Sequence, residues 1–330
     1  MSEKRKDEHV LFAKKITRPA NDFDRISLIN QGLVRLSLKD IDLTTSILGR
    51  RFSYPIYINA MTGGTEKTKK INEKLALIAK RFDIPFFLGS QSVALKDSEL
   101  SHTFKIARDT HPHGFIVANV SANASLIEAK KAVEMVKANA LAIHINLIQE
   151  LVMGEGDRDF RSWIDNIKAI VNGLSLPVIV KEVGFGMSKE TMQTLLDCGV
   201  KYIDISGRGG TNFAAIERMR NQDEVSVFEQ LGISTVDSLM NAKAFEDHAD
   251  IYASGGIRNA LDVIKSLVLG AKAVGLSYYF LTLTSLEEVE MMERVESFLM
   301  DLTKLMVIFN AQNIAQLRDV DYRVSSYAID

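Results

Sequence analysis

Short apolar runs alternate with helix-like patterns along most of this chain of 330 residues. Eight of the runs favour β-structure and are apolar almost throughout, which is typical of parallel strands that are buried on both faces. They cover residues 55–60, 85–88, 114–119, 140–146, 177–182, 202–206, 250–254 and 273–276. Apolar residues at helical spacing separate most of these runs, so the pattern predicts an α/β fold.

The number of strands favours a (β/α)₈ TIM barrel with an N-terminal extension and an inserted loop after strand six. A doubly wound open sheet is the alternative, and it is disfavoured because no early strand carries a G-x-G-x-x-G turn. The first 50 residues are polar and weakly periodic, and residues 212–233 predict the long inserted loop. A helix over residues 286–309 has an apolar stripe that we expect to cover the barrel. We predict a single domain over residues 1–330.

Composition and charge narrow the classes of partner. A formal net charge of −2 argues against a nucleic acid partner, and no apolar run is long enough to span a membrane. The polar N-terminus cannot be the apolar core of a secretory signal. Cys198 is the only cysteine, so no intrachain disulfide forms, and a reducing cytoplasmic location is expected. We interpret Cys198 as a packing residue at the end of a helix.

Polar residues stand where each apolar run stops. In a barrel of this type the active site lies at the carboxyl ends of the strands, so these residues are the candidates for chemistry. Because the carboxyl ends of all eight strands share one rim, we expect the groups to converge. The first six strand ends and the eighth carry Met61-Thr62-Gly63-Gly64, Gly89-Ser90-Gln91, Asn119, His144-x-Asn146-x-x-Gln149-Glu150, Lys181-Glu182, Ser206-Gly207-Arg208-Gly209-Gly210-Thr211 and Ser277.

The end of the seventh strand predicts a phosphate site. Gly255 and Gly256 allow backbone N–H groups to approach a ligand without a Cβ in the way, and Asn259 can cap the helix that follows. Backbone donors at Gly256 and Ile257, the Thr211 hydroxyl and the charge of Arg258 would complete the site. A pair of glycines by itself is as often a simple turn, so the prediction depends on the agreement of several strand ends.

Three other polar residues each allow a functional and a structural interpretation. A buried Lys181 would stabilise negative charge on a cofactor ring, or it would pair with Glu150 or Glu182. Glu150 suits Mg²⁺, which proteins often hold by one or two carboxylates and substrate phosphates, but it also suits a solvated loop. His144 and Asn146 face the same side of a strand, where His144 contacts a ligand or is a satisfied core histidine.

The charged N-terminus also has two interpretations. It is a solvated tail, or it is an arm that places Arg5 and Lys6 over an anionic ligand such as a diphosphate.

Taken together, the motifs resemble type 2 isopentenyl diphosphate isomerase. The resemblance rests on motifs that occur in the family's order along nearly the whole chain. They are Arg5-Lys6-Asp7-Glu8-His9, Met61 to Gly64, His144 to Glu150, Lys181 to Gly184, Gly207 to Thr211 and Gly255 to Arg258. Two positions depart from the family pattern: Ser92 stands where the family often has Arg, and Phe213 where many members have Trp.

The resemblance implies interconversion of isopentenyl and dimethylallyl diphosphate for isoprenoid biosynthesis, with FMN, NADPH as its reductant, and Mg²⁺. Our hypothesis is that reduced FMN assists proton addition and removal. The implied FMN contacts are Ala60, Met61, Thr62, Ser90, Asn119, Lys181, Ser206, Thr211, Gly256, Ile257, Arg258, Ser277 and Tyr278. The implied substrate contacts are Arg5, Lys6, His9, Ser90, Gln91, Ser92 and Gln149. The implied catalytic residues are Gln149, His144 and Asn146, Glu150 holds the metal, and a homotetramer or homo-octamer is expected.

Three other functions are compatible with parts of the sequence. A related FMN barrel that oxidises a 2-hydroxy acid or reduces a nucleotide would share the phosphate site and Lys181, but it would not explain the Arg5-Lys6 arm or Glu150. A flavin-free phosphosugar lyase or aldolase would use Lys181 for a Schiff base. A flavin-binding protein without catalysis would bind FMN and show no turnover.

Overall fold

The computed structural model describes residues 2–15, 21–222 and 226–325. The strands are β1 (Ile26–Leu28), β2 (Thr45–Ile47), β3 (Arg50–Phe52), β4 (Ile56–Ile58), β5 (Phe86–Phe87), β6 (Ile116–Ser121), β7 (Ala140–His144), β8 (Val178–Lys181), β9 (Tyr202–Asp204), β10 (Asp250–Ala253), β11 (Ala273–Leu276) and β12 (Tyr322–Val324). The helices are α1 (Ser2–Lys15), α2 (Glu66–Phe82), α3 (Ser92–Lys96), α4 (His102–Thr110), α5 (Leu126–Met135), α6 (Leu147–Val152), α7 (Trp163–Gly173), α8 (Lys189–Asp197), α9 (Phe213–Asn221), α10 (Thr235–Ala242), α11 (Ala260–Val268), α12 (Tyr278–Leu283) and α13 (Glu288–Ile308).

Strands β4 to β11 close into a barrel in which every neighbouring pair is parallel. This confirms the predicted (β/α)₈ fold. Seven of these strands lie inside the predicted apolar runs, and β6 continues two residues further, to Ser121. The apolar runs located the strands because side chains on the outer face pack under helices and those on the inner face fill the barrel.

The inward-facing side chains form an apolar layer below a polar one. The apolar layer contains Tyr57, Phe87, Val117, Ala142, Ile179, Tyr202, Tyr252 and Ala273. Because side chains alternate along a strand, the residue two positions later also faces inward. Those residues are Asn59, Gly89, Asn119, His144, Lys181, Asp204, Ser254 and Gly275. All eight strands therefore change from apolar to small or polar at the same height, which places the site at the carboxyl end of the barrel.

A hairpin closes the opposite end of the barrel. Strands β2 and β3 pair antiparallel through a turn at Leu48 and Gly49, both of which have positive φ. Ile47, Leu48 and Phe52 are buried in the same cluster as the apolar layer, and the Leu48 N–H donates to the Tyr252 hydroxyl at 2.6 Å. The hairpin thus seals the barrel away from the site.

The outer helices confirm several sequence expectations. The last long helix, α13, runs from Glu288 to Ile308, and its stripe of Met291, Val295, Phe298 and Leu302 is buried in the main core. Cys198 lies buried at the C-terminal end of α8, as the sequence suggested. No helix among the described residues combines the length and apolar character that a membrane span requires.

Two expectations were incomplete. The stretch 212–233 is not one long loop, because it contains α9 and a short 3₁₀ turn over Val227–Gln230. The Asn212 side chain caps α9 by accepting from the Ala214 and Ala215 N–H groups at 3.0 and 3.2 Å. The first 50 residues also contain α1, a 3₁₀ turn over Asp22–Arg25, and β1, which pairs antiparallel with β12.

Candidate active site

A cavity of about 400 Å³ lies at the carboxyl ends of the barrel strands. Every barrel strand or the loop directly after it contributes to its lining, and α1 adds Arg5, Lys6 and His9 from above. Lys181, Thr211 and Gly256, which come from three different strand ends, all face this one cavity. The convergence that the strand-end argument predicted is therefore present.

Most of the residues that the sequence singled out line the cavity. They are Arg5, Lys6, His9, Ala60, Met61, Ser90, Ser92, Asn119, His144, Asn146, Gln149, Glu150, Lys181, Ser206, Thr211, Gly256, Ile257, Ser277 and Tyr278. Three candidates, Thr62, Gln91 and Arg258, do not contribute to the lining. Thr62 is buried beside it, with a hydroxyl that has no hydrogen-bond partner among the described residues.

Gln91 and Arg258 already have partners within the protein. The Gln91 amide donates to the Ala132 carbonyl and accepts from the Asn119 N–H, both at 3.0 Å, and its role as a substrate contact stays a prediction. The Arg258 guanidinium binds Asp24 in bidentate fashion at 2.9 and 2.6 Å and also binds Asp262. Its backbone N–H donates to Asp262 as well, at 3.0 Å. Arg258 therefore fixes the loop from behind, instead of adding charge to the cavity.

Two glycine loops meet at one side of the cavity. A Cβ on Gly210 would lie 2.6 Å from the Gly256 nitrogen, and one on Gly255 would lie 2.1 Å from the Gly207 oxygen, so only glycine allows this approach. Within the described part of the chain, the N–H groups of Gly210, Gly256 and Ile257 donate to no protein acceptor. Unpaired backbone donors that converge on a cavity are what a phosphate group needs.

Lys181 is buried at the floor of the cavity. Its ammonium group donates to the Glu182 carbonyl at 2.6 Å and forms no salt bridge with the Glu150 or Glu182 carboxylate. Burial lowers the pKa of Lys181, whereas the Asp204 and Glu182 charges act to raise it. The Glu182 carboxylate instead accepts from the three N–H groups of residues 183 to 185, and burial raises its pKa to about 7.

Asp204 is a buried carboxylate that the sequence interpretation missed. It lies in the polar layer and accepts from the Tyr57 hydroxyl at 2.8 Å, the Asn59 amide at 3.2 Å and the Ser254 hydroxyl at 2.7 Å. The Ser206 N–H adds a fourth bond at 3.1 Å. A carboxylate inside an apolar strand run was a usable signal, because a buried charge must be paired.

The partners of His144 determine its tautomer. The Asn119 amide donates to the Leu88 carbonyl at 2.9 Å, so its Oδ1 is the atom that faces His144 Nδ1 at 2.9 Å. Because that oxygen can only accept, Nδ1 carries the proton and Nε2 is left as an acceptor. Burial, with Lys181 and Lys6 nearby, lowers the pKa of His144 to about 3. The imidazole is therefore neutral and is not an acid in this cavity.

Oxygen donors suitable for a magnesium ion lie at the start of α6. Glu150 accepts from the Asn146 amide and from the Asp157 N–H, both at 2.8 Å. The Asn146 Oδ1 atom is buried with no hydrogen-bond partner among the described residues. No cluster of three or more His, Cys, Asp or Glu side chains capable of holding a metal occurs in ranges 2–15, 21–222 and 226–325. One carboxylate and an amide oxygen fit an ion that takes its other ligands from phosphate and water.

Helix α1 brings positive charge to the upper side of the cavity. Arg5 lies 3.6 Å from Glu155, and its Nε is buried without a hydrogen-bond partner among the described residues. Burial and the neighbouring Arg5 guanidinium lower the pKa of Lys6 to about 8. Two cationic side chains with unused donors are a suitable environment for an anion.

Glu217 and Arg220 of α9 anchor α1, and the sequence interpretation missed both. Glu217, which is 1% exposed, binds His9 Nε2 at 2.8 Å and also contacts the Arg220 guanidinium. Arg220 binds Glu8 at 3.1 Å and Glu155 at 3.0 Å. His9 also packs edge-to-face on Phe213, with ring centroids 5.7 Å apart. The helix inside the supposed loop 212–233 thus positions the N-terminal arm.

Comparison with known proteins places this site in a family. The model of the FMN-dependent dehydrogenase family matches residues 102–323. The structure resembles mandelate oxidase, with a TM-score of 0.63 and 14% identity over 97% of this chain and 91% of that one. It also resembles a mandelate oxidase variant that carries an FMN adduct, with a TM-score of 0.64 and 15% identity over 97% and 92%. At this level of identity the likeness concerns the fold.

Relatives with higher identity match nearly the whole chain. The isopentenyl-diphosphate delta-isomerase of Staphylococcus haemolyticus is 45% identical over 96% of this chain and 91% of its own length. Those of Latilactobacillus sakei and Listeria monocytogenes are 47% and 46% identical, over 95% and 98% of this chain and 91% and 92% of their own lengths. The chain therefore belongs to the FMN-dependent dehydrogenase family and to the isopentenyl-diphosphate delta-isomerases.

Proposed function

We propose that this protein interconverts isopentenyl and dimethylallyl diphosphate, with FMN, NADPH as its reductant, and Mg²⁺. One observation carries the proposal: a single cavity presents unpaired backbone donors from two glycine loops on one side and the cations of α1 on the other. Such a cavity suits two phosphorylated molecules, of which one is a cofactor and the other a substrate. The full-length relatives named isopentenyl-diphosphate delta-isomerase support the choice of substrate.

The flavin half of the cavity comprises the glycine loops and Lys181. The N–H groups of Gly210, Gly256 and Ile257, which have no acceptor among the described residues, would hold the FMN phosphate, and Lys181 at the floor of the cavity would face the ring. When bound and reduced, FMN supplies an electron-rich ring that stabilises positive charge on the alkene and can relay a proton.

The substrate half comprises α1 and the start of α6. Arg5 and Lys6 would bind the diphosphate, and Glu150 with Asn146 Oδ1 would hold Mg²⁺. Because Glu217 and Arg220 anchor α1 over the mouth, the diphosphate is held while the apolar tail reaches the barrel floor. The same anchoring excludes water from the reacting carbons.

The side chains assigned to the reacting carbons orient the substrate and carry no charge. His144 is neutral, with Nε2 as an acceptor. Gln149 is buried beside Asn146, which donates to its Oε1 at 3.3 Å. We assign Gln149, His144 and Asn146 the task of positioning the alkene for proton addition and removal.

An assay tests the proposal directly. Purified protein with FMN, NADPH, Mg²⁺ and isopentenyl diphosphate is incubated in heavy water, and the product is identified by mass spectrometry. The expected product is dimethylallyl diphosphate that carries deuterium, with no net consumption of NADPH per turnover. Stoichiometric loss of reductant, or oxidation of a 2-hydroxy acid by the same protein, would favour the flavin oxidoreductase function instead.

The proposal also includes the pathway, the cellular location and the oligomeric state of the enzyme. We propose that it acts in isoprenoid biosynthesis in the cytoplasm and forms a homotetramer or homo-octamer, as the family resemblance suggests. Light scattering on the FMN-loaded protein gives the number of subunits.

A further inference from the structure

We infer that Asn21, a residue of the N-terminal extension, orients the backbone donors that bind the flavin phosphate. The inference rests on the proposed FMN site and adds a positioning residue to it. Asn21 does not line the cavity; it lies behind the two glycine loops and is 5% exposed.

The Asn21 side chain bridges the two loops. Its Nδ2 donates to the Gly256 carbonyl at 2.8 Å and to the Gly209 carbonyl at 3.4 Å. Its Oδ1 accepts from the Phe23 N–H at 3.1 Å, which fixes which end of the amide faces the loops. One amide group therefore holds a carbonyl of each loop.

Holding these carbonyls determines where two N–H groups point. The Gly209 carbonyl shares a peptide group with the Gly210 N–H, and the Gly256 carbonyl shares one with the Ile257 N–H. No peptide among the described residues is cis, and in a trans peptide the N–H points opposite to the carbonyl. By holding both carbonyls on the far side, Asn21 turns the Gly210 and Ile257 N–H groups toward the cavity that both residues line.

The segment that carries Asn21 is itself firmly docked. Asp24 binds Arg258 in bidentate fashion, and the Lys265 ammonium group donates to the Phe23 carbonyl at 2.7 Å. Glycine is required where the loops touch: a Cβ on Gly256 would lie 2.8 Å from the Gly209 carbonyl carbon and 3.0 Å from Asn21 Nδ2. The two peptides are thus fixed before a ligand arrives, which is the condition for a preorganised anion site.

Comparison of FMN with riboflavin isolates this role, because riboflavin has the same ring without the phosphate. Flavin-free protein is titrated with each flavin, and ring fluorescence gives the two dissociation constants. Asn21→Asp keeps the acceptor for Phe23 but points a carboxylate at two carbonyls. Asn21→Ser keeps a capping oxygen and removes the donor. We expect both variants to weaken FMN binding by about 10- to 100-fold, with the larger effect for Asp, and to change riboflavin binding by less than about threefold.

Lys265→Met is the matched control, because it loosens the docking of the same segment without touching either carbonyl. It is expected to change both dissociation constants by the same small factor. Equal losses for FMN and riboflavin in the Asn21 variants, or no loss in either, would overturn the inference about Asn21 alone. A wild-type protein that binds the two flavins equally well would overturn the phosphate site of the proposed function together with it.

Discussion

Lys181 and Asp204 are cross-strand partners in the parallel pair β8 and β9; both are buried, and Lys181 lines the cavity. The Asp204 carboxylate accepts four hydrogen bonds, and its charge opposes the effect of burial on the pKa of the Lys181 ammonium group. The buried Asp204 carboxylate therefore affects the charge of Lys181, which would face a bound flavin ring.

Removal of the Asp204 charge is expected to destabilise the fold. Asp204→Asn leaves hydroxyl and amide donors without a charged acceptor, so the free energy of unfolding should fall by about 2–4 kcal/mol. Tyr57→Phe removes only one of the four donors and should cost about 1–2 kcal/mol. Urea unfolding of the flavin-free protein measures both values. Equal stability of wild type and Asp204→Asn would show that the network contributes nothing.

The pKa of Lys6 predicts how substrate affinity depends on pH. In the free protein the pKa is lowered to about 8, so the protonated fraction falls as pH rises through that value. An anionic diphosphate prefers protonated Lys6, and the dissociation constant should therefore rise about 10-fold between pH 7 and pH 9. Arginine stays protonated throughout this range, so Lys6→Arg should remove most of the dependence. Calorimetric titration at several pH values makes the comparison; the same slope in both proteins would assign the effect to another group.

His144 predicts a loss of stability in mild acid. Its folded-state pKa is lowered to about 3 from an unfolded value of 6.5, so the unfolded chain binds the extra proton as pH falls below 6.5. Stability is fully present above that pH, and this residue alone should reduce it by about 1.4 kcal/mol at pH 5.5. In His144→Gln the change in stability between pH 7.5 and 5.5 should be smaller by that amount. Denaturant unfolding at the two pH values tests this, and parallel losses in both proteins would mean that His144 is accessible to protons.

The sequence was sufficient to predict the fold and the end of the barrel at which the site lies. The apolar runs located the barrel strands because strands buried on both faces are apolar at nearly every position. The polar residue at the end of each run then identified the cavity lining, as Lys181 and His144 illustrate. Asp204 was not predicted as a site residue, because it lies inside an apolar run and not at its end.

The sequence did not predict contacts between segments that lie far apart in the chain. Asn21 is 188 and 235 residues from its two loop partners, and Glu217 is 208 residues from His9. The residues next to Asn21 and Glu217 in the sequence do not indicate these partners. The pairing of Arg258 with Asp24 was not predicted for the same reason, since nothing near Arg258 in the sequence indicates this partner. The end of a strand can be predicted from neighbouring residues, whereas the partner of a charged side chain depends on how the whole chain folds.

Substitution of Glu150 tests the proposed metal site independently of the proposed flavin site. We expect Glu150→Gln to bind FMN as tightly as wild type, because among the described residues its carboxylate hydrogen-bonds only to Asn146 and the Asp157 N–H. Removal of the carboxylate should weaken Mg²⁺ binding to the substrate-loaded protein by at least about 10-fold, since proteins hold this ion chiefly through carboxylates. Glu128→Gln is a suitable control, because Glu128 also lines the cavity but accepts from Ser125 at the cap of α5. Turnover measured against Mg²⁺ concentration should shift to higher metal only in Glu150→Gln. A normal metal dependence in that variant would place the ion on other ligands, and a parallel loss of FMN would show that Glu150 supports the cavity as a whole.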